Sequence, residues 1–365
     1  MPRLEPRGEP SRAMSYASPV LAVALTLLSG YFLFSFLGKD PAQAFLVFFV
    51  KPLSTAYGIG ELCLKATPLI LCALGLALGF RANVWNIGAE GQLTIGAIVG
   101  GGMALWLHDV TNAWLLLPLM MVAGALGGMA WGAIPAFLRT RFNTNEILVS
   151  LMLVYVANLL LSWLVRGPWR DPQGYNFPQS PMFHDAALLP VLAQGIRTNI
   201  AFPVALLFAA VCWVFVAKAF AGFRFTVAGL APAAASYAGF SAKRNIWLAF
   251  MIGGGAAGFA GVAEVAGPIG QLQPSISPGY GFAAIIVAFV GRLHPVGVVL
   301  ASLLMSLLYI GGETAQIQMA LPAAVTGVFQ GILLFYLLAA DLFIHFRLHW
   351  KRPRVATTHP TKEAT

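Results

Sequence analysis

Residues 218–245, KAFAGFRFTVAGLAPAAASYAGFSAKRN, form a basic interruption between two long apolar runs, and the fold follows from how that interruption is read. The stretch carries Lys218, Arg224, Lys243 and Arg244 and no acidic residue, and its centre, Leu230 to Phe240, is almost all small side chains. Proline suits the first turn of a helix and glycine the position just past its end, so Pro232 and Gly239 bracket a short helix over residues 232–238. Two turns of such a sequence do not hold together alone in water, so the helix needs a surface to rest on. The runs on either side are long enough to cross a bilayer, which makes this segment a loop between two spans.

Composition extends that reading to the whole chain. Of 365 residues, 59% are hydrophobic and only 10% charged, with a mean hydropathy of +0.78. Soluble domains carry about a quarter charged residues. The expected fold is therefore an all-α integral membrane protein, a polytopic bundle of about ten transmembrane helices. Spans are expected at residues 18–37, 57–80, 86–107, 113–138, 146–165, 200–220, 246–266, 281–291, 296–311 and 321–346. The eighth is too short to cross unless residues before Gly281 contribute. This organisation gives a polar tail over 1–15, a membrane domain over 16–346 with an outer loop over 166–199, and a tail over 347–365. Ala22 and Ala24 make a small-x-small site, but it falls inside the first apolar run, so that run is read as an uncleaved span and not a signal peptide.

Charge placement sets the orientation. Sixteen of the 22 lysines and arginines fall on the side of the N-terminus, five on the other side, and Lys65 lies within a span. Basic excess marks the cytoplasmic side, so both termini are expected there, and the net charge of +9 needs no nucleic-acid partner. Glu61 and Lys65 are four apart with the acid first and are expected to neutralise each other on one helix face. Cys63, Cys72 and Cys212 lie in apolar runs and read as buried, inert thiols, with no cysteine–histidine cluster to suggest a metal.

Two places break the hydrophobic pattern. FRANVWNIGAEGQ, residues 80–92, sets Asn83, Asn86, Glu90 and Gln92 around Gly88 and Gly91, beside or within the membrane. Lipid offers such groups no hydrogen bonds, so they must find protein or water. Glu90 has a second reading as a first-turn acid complementing its own helix dipole. GPIGQLQPSISPGYG, residues 267–281, holds Gln271 among three prolines and four glycines, and the lone acid Glu264 stands just before it. Interrupted segments of this kind in both halves of a transporter point to broken helices beside a transport path. No Walker A sequence, Gly-x-Ser-x-Gly elbow or His-Glu-x-x-His motif is present, so no hydrolytic site of the chain's own is expected.

The run GFRANVWNIGAEGQLTIGA from Gly79 resembles the signature of permease subunits of bacterial ABC importers in the branched-chain amino acid, simple-sugar and nucleoside group. NTNEILVSLMLVYVANLL from Asn143, GLAPAAASYAGFSAKRNIWLAFMIGGGAAGFAG from Gly229 and SPGYGFAAIIVAFVGRLHPVGVVLASLLMSLLYIGG from Ser277 are similar to further stretches of that family. The likeness covers nearly all of the chain between Gly58 and Ala340 and is nearest to the nucleoside permeases often labelled simple-sugar permeases.

The resemblance implies a non-enzymatic subunit of the bacterial inner membrane, with broken helices and a cytoplasmic coupling helix. It would bind no cofactor itself and would work with a cytoplasmic ABC ATPase that holds ATP and Mg. A second permease, identical or related, and an extracytoplasmic solute-binding protein would complete the system in the lipid bilayer. Gly229, Leu230, Pro232, Ala234, Ala235, Tyr237, Gly239, Lys243 and Arg244 would couple to the ATPase. Asn83, Asn86, Glu90, Gln92, Asn145, Glu146, Glu264 and Gln271 would line the path for the solute. That solute is expected to be a nucleoside or nucleobase, then a simple sugar, then a branched-chain amino acid. Two departures stand out: Val154 where the family often has Asn, and Ala231 where Asn commonly precedes the proline and would cap the coupling helix. The competing class is a self-sufficient secondary transporter or channel.

Overall fold

The computed structural model describes residues 2–6, 12–110 and 112–350; the ends of the two expected tails, 7–11 and 351–365, lie outside the described residues. The chain divides into two compact units, one made of residues 39–330 and the other of residues 1–38 with 331–365.

The larger unit holds most of the helices. A short helix α2 (Pro41–Phe45) is capped by Asp40, whose side chain accepts from Ala42 N at 3.0 Å, and runs into wider and tighter turns as far as Leu53. No element was expected there; FLVFFV is too short to span but apolar enough to pack, and Phe48 is fully buried. Then follow α3 (Ala56–Arg81), α4 (Ala89–Trp106), α5 (Ala113–Phe142), α6 (Glu146–Arg166), α7 (Ala201–Lys218), α8 (Phe220–Leu230), α9 (Pro232–Tyr237), α10 (Ala242–Glu264), α11 (Tyr280–Val290) and α12 (Pro295–Met319). The last helix, α13 (Ala324–His345), begins in this unit. In the smaller unit α1 (Arg12–Phe36) is tied to α13 by a 2.7 Å hydrogen bond between the Ser29 and Tyr336 hydroxyls. Its chain ends form a two-stranded antiparallel ribbon, β1 (Pro2–Pro6) with β2 (Phe346–Trp350), that no apolar pattern announced.

Each of the ten expected spans coincides with a helix, and among the described residues seven helices are long and apolar enough to cross a membrane unaided. The short eighth is α11, eleven residues and so about 16 Å at 1.5 Å per residue. Irregular chain over 270–279 leads into it.

Beyond Glu61 and Lys65 near its start, α3 is apolar on every side, and 83% of its most apolar stretch is buried, against 22% for that of α7. A helix without a polar face belongs inside a bundle. α3 packs on α7, α10, α11 and α12, and on the far side of α10 the helices α4 and α5 approach it so closely that a Cβ on Gly96 would overlap the backbone of Gly258, and one on Gly128 the backbone of Gly254. In lipid, where helices gain no hydrophobic drive toward each other, such small-residue seams let backbones touch and dispersion hold them.

The expected Glu61–Lys65 pair is not formed. Lys65 Nζ bonds Glu313 Oε1 at 2.9 Å and Arg197 reaches Glu61 at 3.4 Å, so each charge is neutralised across the bundle instead of along one helix.

Candidate functional site

The two broken segments, separated by about half the chain, meet at one carboxylate. Ser277 Oγ accepts from Gly279 N at 3.1 Å and Tyr280 N at 2.8 Å, closing the turn that starts α11, and Gly279 takes φ +97°, a conformation glycine adopts freely. The first N–H groups of a helix have no partner within it. Gly281 N finds one in Glu90 Oε2, at 2.7 Å, and Ser277 also bonds that carboxylate. The approach requires glycine, because a Cβ on Gly281 would overlap the backbone nitrogen of Glu90. Tyr280, buried beside it, meets Tyr309 edge to face at 5.5 Å between ring centroids.

Segment 80–92 satisfies most of its own polar groups. Asn86 and Gln92 face each other as reciprocal amides, Asn86 Nδ2 donating to Gln92 Oε1 at 2.9 Å and Gln92 Nε2 to Asn86 Oδ1 at 3.2 Å. The same Asn86 oxygen accepts Gly88 N at 3.0 Å. Asn83, with φ +55°, accepts from Trp85 Nε1 at 2.9 Å. Arg81 Nε reaches Leu293 O at 2.9 Å, just past the far end of α11, where Phe80 stacks on Phe289 at 5.2 Å.

The other expected path residues lie apart from this junction. Asn145 caps α6, accepting from Ile147 N at 3.0 Å and Leu148 N at 3.4 Å, and Glu146 is ion-paired with Arg139. Gln271 donates to Gln179 at 3.2 Å. Glu264 has no hydrogen-bond partner among the described residues and lies in the electrostatic neighbourhood of Lys65, Arg197 and Glu61.

Sequence reasoning missed two things here. One is Ser277, legible afterwards as a hydroxyl closing a turn in Ser-Pro-Gly. The other is that the loop over 166–199 is fastened along the second break: Ser180 N to Leu272 O at 2.9 Å, Phe183 N to Gly270 O at 2.9 Å, Leu189 N to Ala266 O at 2.7 Å, and Arg197 to Pro268 O at 3.1 Å. No local pattern reports bonds across such a separation. An apolar cavity of about 670 Å³ between this loop, α5 and α7 holds almost no polar lining and stands away from the junction.

The opening stretch folds into two helices. α8, unanticipated as a separate element, buries Phe225 in a cluster with Ala82, Val84, Ala136, Ala249 and Phe250. A Cβ on Gly229 would overlap the Arg81 carbonyl, so α8 lies directly on the end of α3. α9 follows as expected within one residue, with Pro232 in its first turn and Gly239 at φ +78° just past its end. Phe240 N closes that end on Ala235 O at 2.9 Å, and Arg224 lies 5.5 Å over the Phe240 ring. Ala235 is 3% exposed, whereas Leu230 is 82% and Tyr237 97% exposed, and Ala234 is also on the outside. Lys243 and Arg244 are exposed in the first turn of α10, where the helix dipole disfavours cations, so helix stability does not account for them.

The permease component of the branched-chain amino acid transport system is the family whose pattern matches, over residues 58–338. The chain belongs to this permease family. Over 356 residues the permease is 37% identical to a glucose ABC transporter permease protein of Haloferax volcanii, spanning 95% of this chain and 93% of that one. It is 31% identical to a guanosine ABC transporter permease protein of Bacillus subtilis over 336 residues, 90% and 94% of the two chains. A nucleoside ABC transporter permease protein of Lactococcus lactis shares 29% over 301 residues, 80% and 82% of the two. The permease is thus a multi-pass membrane protein whose relatives serve nucleoside and sugar ABC transporters, and the motif-based resemblance holds.

Proposed function

We propose that this permease imports a nucleoside or nucleobase, or failing that a simple sugar, driven by ATP hydrolysis on a partner subunit. The observation that carries the reading is the α8–α9 junction: Leu230 at the end of α8 and Tyr237 at the end of the six-residue α9 are almost wholly exposed, while α8 packs against the α3–α4 turn. Two large apolar side chains left in solvent beside exposed Lys243 and Arg244 suit insertion into a cleft with acidic edges. A cytoplasmic ABC ATPase, binding ATP and Mg, is the partner that supplies it.

The excess of basic residues supports a cytoplasmic position for α9 and both termini of a permease seated in the inner membrane of a bacterial-type cell. A second permease subunit completes the path, and an extracytoplasmic solute-binding protein delivers the solute to the opposite face. Among the expected path residues, Asn86, Glu90, Gln92, Asn145, Glu146 and Gln271 all spend hydrogen bonds within the chain. Glu264 is the carboxylate left to meet a solute, and an intramembrane acid without a bonded partner is a functional candidate on energetic grounds.

The test is Ala234→Glu, on the outer side of α9, with the ATPase co-expressed. Ala235 is unsuitable, being buried under the helix itself. The variant is expected to insert normally, to lose co-purification with the ATPase and to reduce ATP-dependent uptake at least tenfold, about 1.4 kcal/mol or more of docking energy. Full uptake with normal ATPase retention would sink the docking role, and solute flux through the permease reconstituted without any ATPase would overturn the importer reading altogether.

A further inference from the structure

Resting on the importer reading, we propose that Glu90 is a positioning residue, the joint by which the half-helix α11 is made to follow α4, and that it does not bind solute. Segment 80–92 grips α11 at both ends. At its start Glu90 holds Gly281 N and Ser277; past its finish Arg81 holds the Leu293 carbonyl while Phe80 stacks on Phe289. Between those grips lie only the eleven residues of α11, so segment and half-helix form one piece.

That piece is in contact with the coupling helices. Gly229 of α8 rests on the Arg81 carbonyl, and Phe225 packs on Ala82 and Val84, which lie between the two grips. At its start α11 continues into the irregular chain of residues 270–279, fastened to the 166–199 loop, and along its length it also packs on α3 and α12. A displacement of α8 thus has a direct route to α11 through segment 80–92, beside the one through α3. If the Glu90 joint is missing, the finish of α11 moves while its start stays with the irregular chain. Hydrolysis then continues and solute movement lags behind it.

Geometry also says which chemical property of Glu90 matters. The bond is a matter of reach: Glu90 Oε2 accepts at 2.7 Å from a backbone N–H on another element. Asp keeps the charge but withdraws the oxygen by one carbon–carbon bond, about 1.5 Å, beyond hydrogen-bonding distance. Gln keeps the reach and an acceptor but gives up the charge. A joint prefers Gln to Asp. An acid that serves the α4 dipole, or one that attracts a cationic group, prefers Asp to Gln.

The experiment uses the assembled transporter in nanodiscs and proteoliposomes, with wild type, Glu90→Gln, Glu90→Asp, Glu90→Ala and Ser277→Ala. Solute taken up per ATP hydrolysed is measured with apparent KM. The joint predicts that Gln stays within about twofold of wild type, and that Asp and Ala lose about tenfold in uptake per ATP with KM unchanged. Ser277→Ala, which removes a brace of the same carboxylate together with the acceptor that closes the α11 turn, is expected to lose about threefold by the same measure. It keeps the test decisive if the Asp variant fails to assemble. Asp retained with Gln lost overturns the joint, as does a tenfold rise in KM with uptake per ATP intact, or a Ser277→Ala transporter as well coupled as wild type. Failure of the importer reading shows separately, as a wild-type permease that neither retains an ATPase nor takes up solute with ATP.

Discussion

The turn at 80–92 and the break at 267–281 look alike in sequence, both polar interruptions rich in glycine, but they are stabilised in opposite ways. The first largely satisfies itself: Asn86 and Gln92 complete each other, Asn86 also serves Gly88, and Asn83 serves Trp85. The second borrows its partners, from Glu90 at its inner end and from Ser180, Phe183, Leu189 and Arg197 along its length. A self-satisfied turn is a rigid body that can pass on a push. A borrowed one takes its shape from whatever holds it, and yields when its partners move.

The sharpest way to break that contrast is a double-mutant cycle on Asn86 and Gln92. Either alanine alone strands a buried amide, at a cost of about 1–3 kcal/mol, while the pair removed together costs well below the sum. Unfolding of the purified permease in denaturant reads the three values. Additive costs would mean that the two amides have other partners and that the turn is not self-contained.

Arg197→Ala addresses the borrowed segment. The guanidinium touches Glu61 and the Pro268 carbonyl and is about half exposed, so its loss costs about 1 kcal/mol and diminishes with added salt. Hydrogen exchange should quicken over residues 266–272 and remain unchanged over 80–92. Equal quickening in both segments would show that they are stabilised together and that the contrast is false.

The same contrast explains what could be read beforehand. The ten helices were legible because hydropathy over some twenty residues reports burial in lipid directly, and α9 because proline and glycine act on their own neighbours. Asn83, Asn86, Glu90 and Gln92 were legible as residues needing partners, since polar groups beside the bilayer must find them. Which partners they found was not. Glu90 meets Gly281 across 191 positions and Lys65 meets Glu313 across 248, and no local spacing encodes such a meeting. The Glu61–Lys65 expectation failed for that reason, since helix periodicity knows only neighbours one turn away. Gly281 carried the one available signal, being a glycine whose missing side chain makes room for another backbone.

α9 completes the comparison, because it neither satisfies its first turn nor borrows from the rest of the chain. Ala231 offers no side-chain cap, and Pro232 has no N–H to leave unpaired, so the N–H groups of Ala233 and Ala234 are the ones a cap would reach. Ala231→Asn restores an acceptor at the cap position and should stabilise the helix by about 0.5–1 kcal/mol. In the free permease, amide exchange over residues 233–238 should slow by about two- to fivefold. In the ATPase-bound transporter the same substitution should change exchange little, provided the partner already supplies the missing acceptor. An undiminished gain in the assembled state would show that the first turn of α9 stays open to water after docking. The ATPase would then grip the helix by Leu230 and Tyr237 rather than by its end.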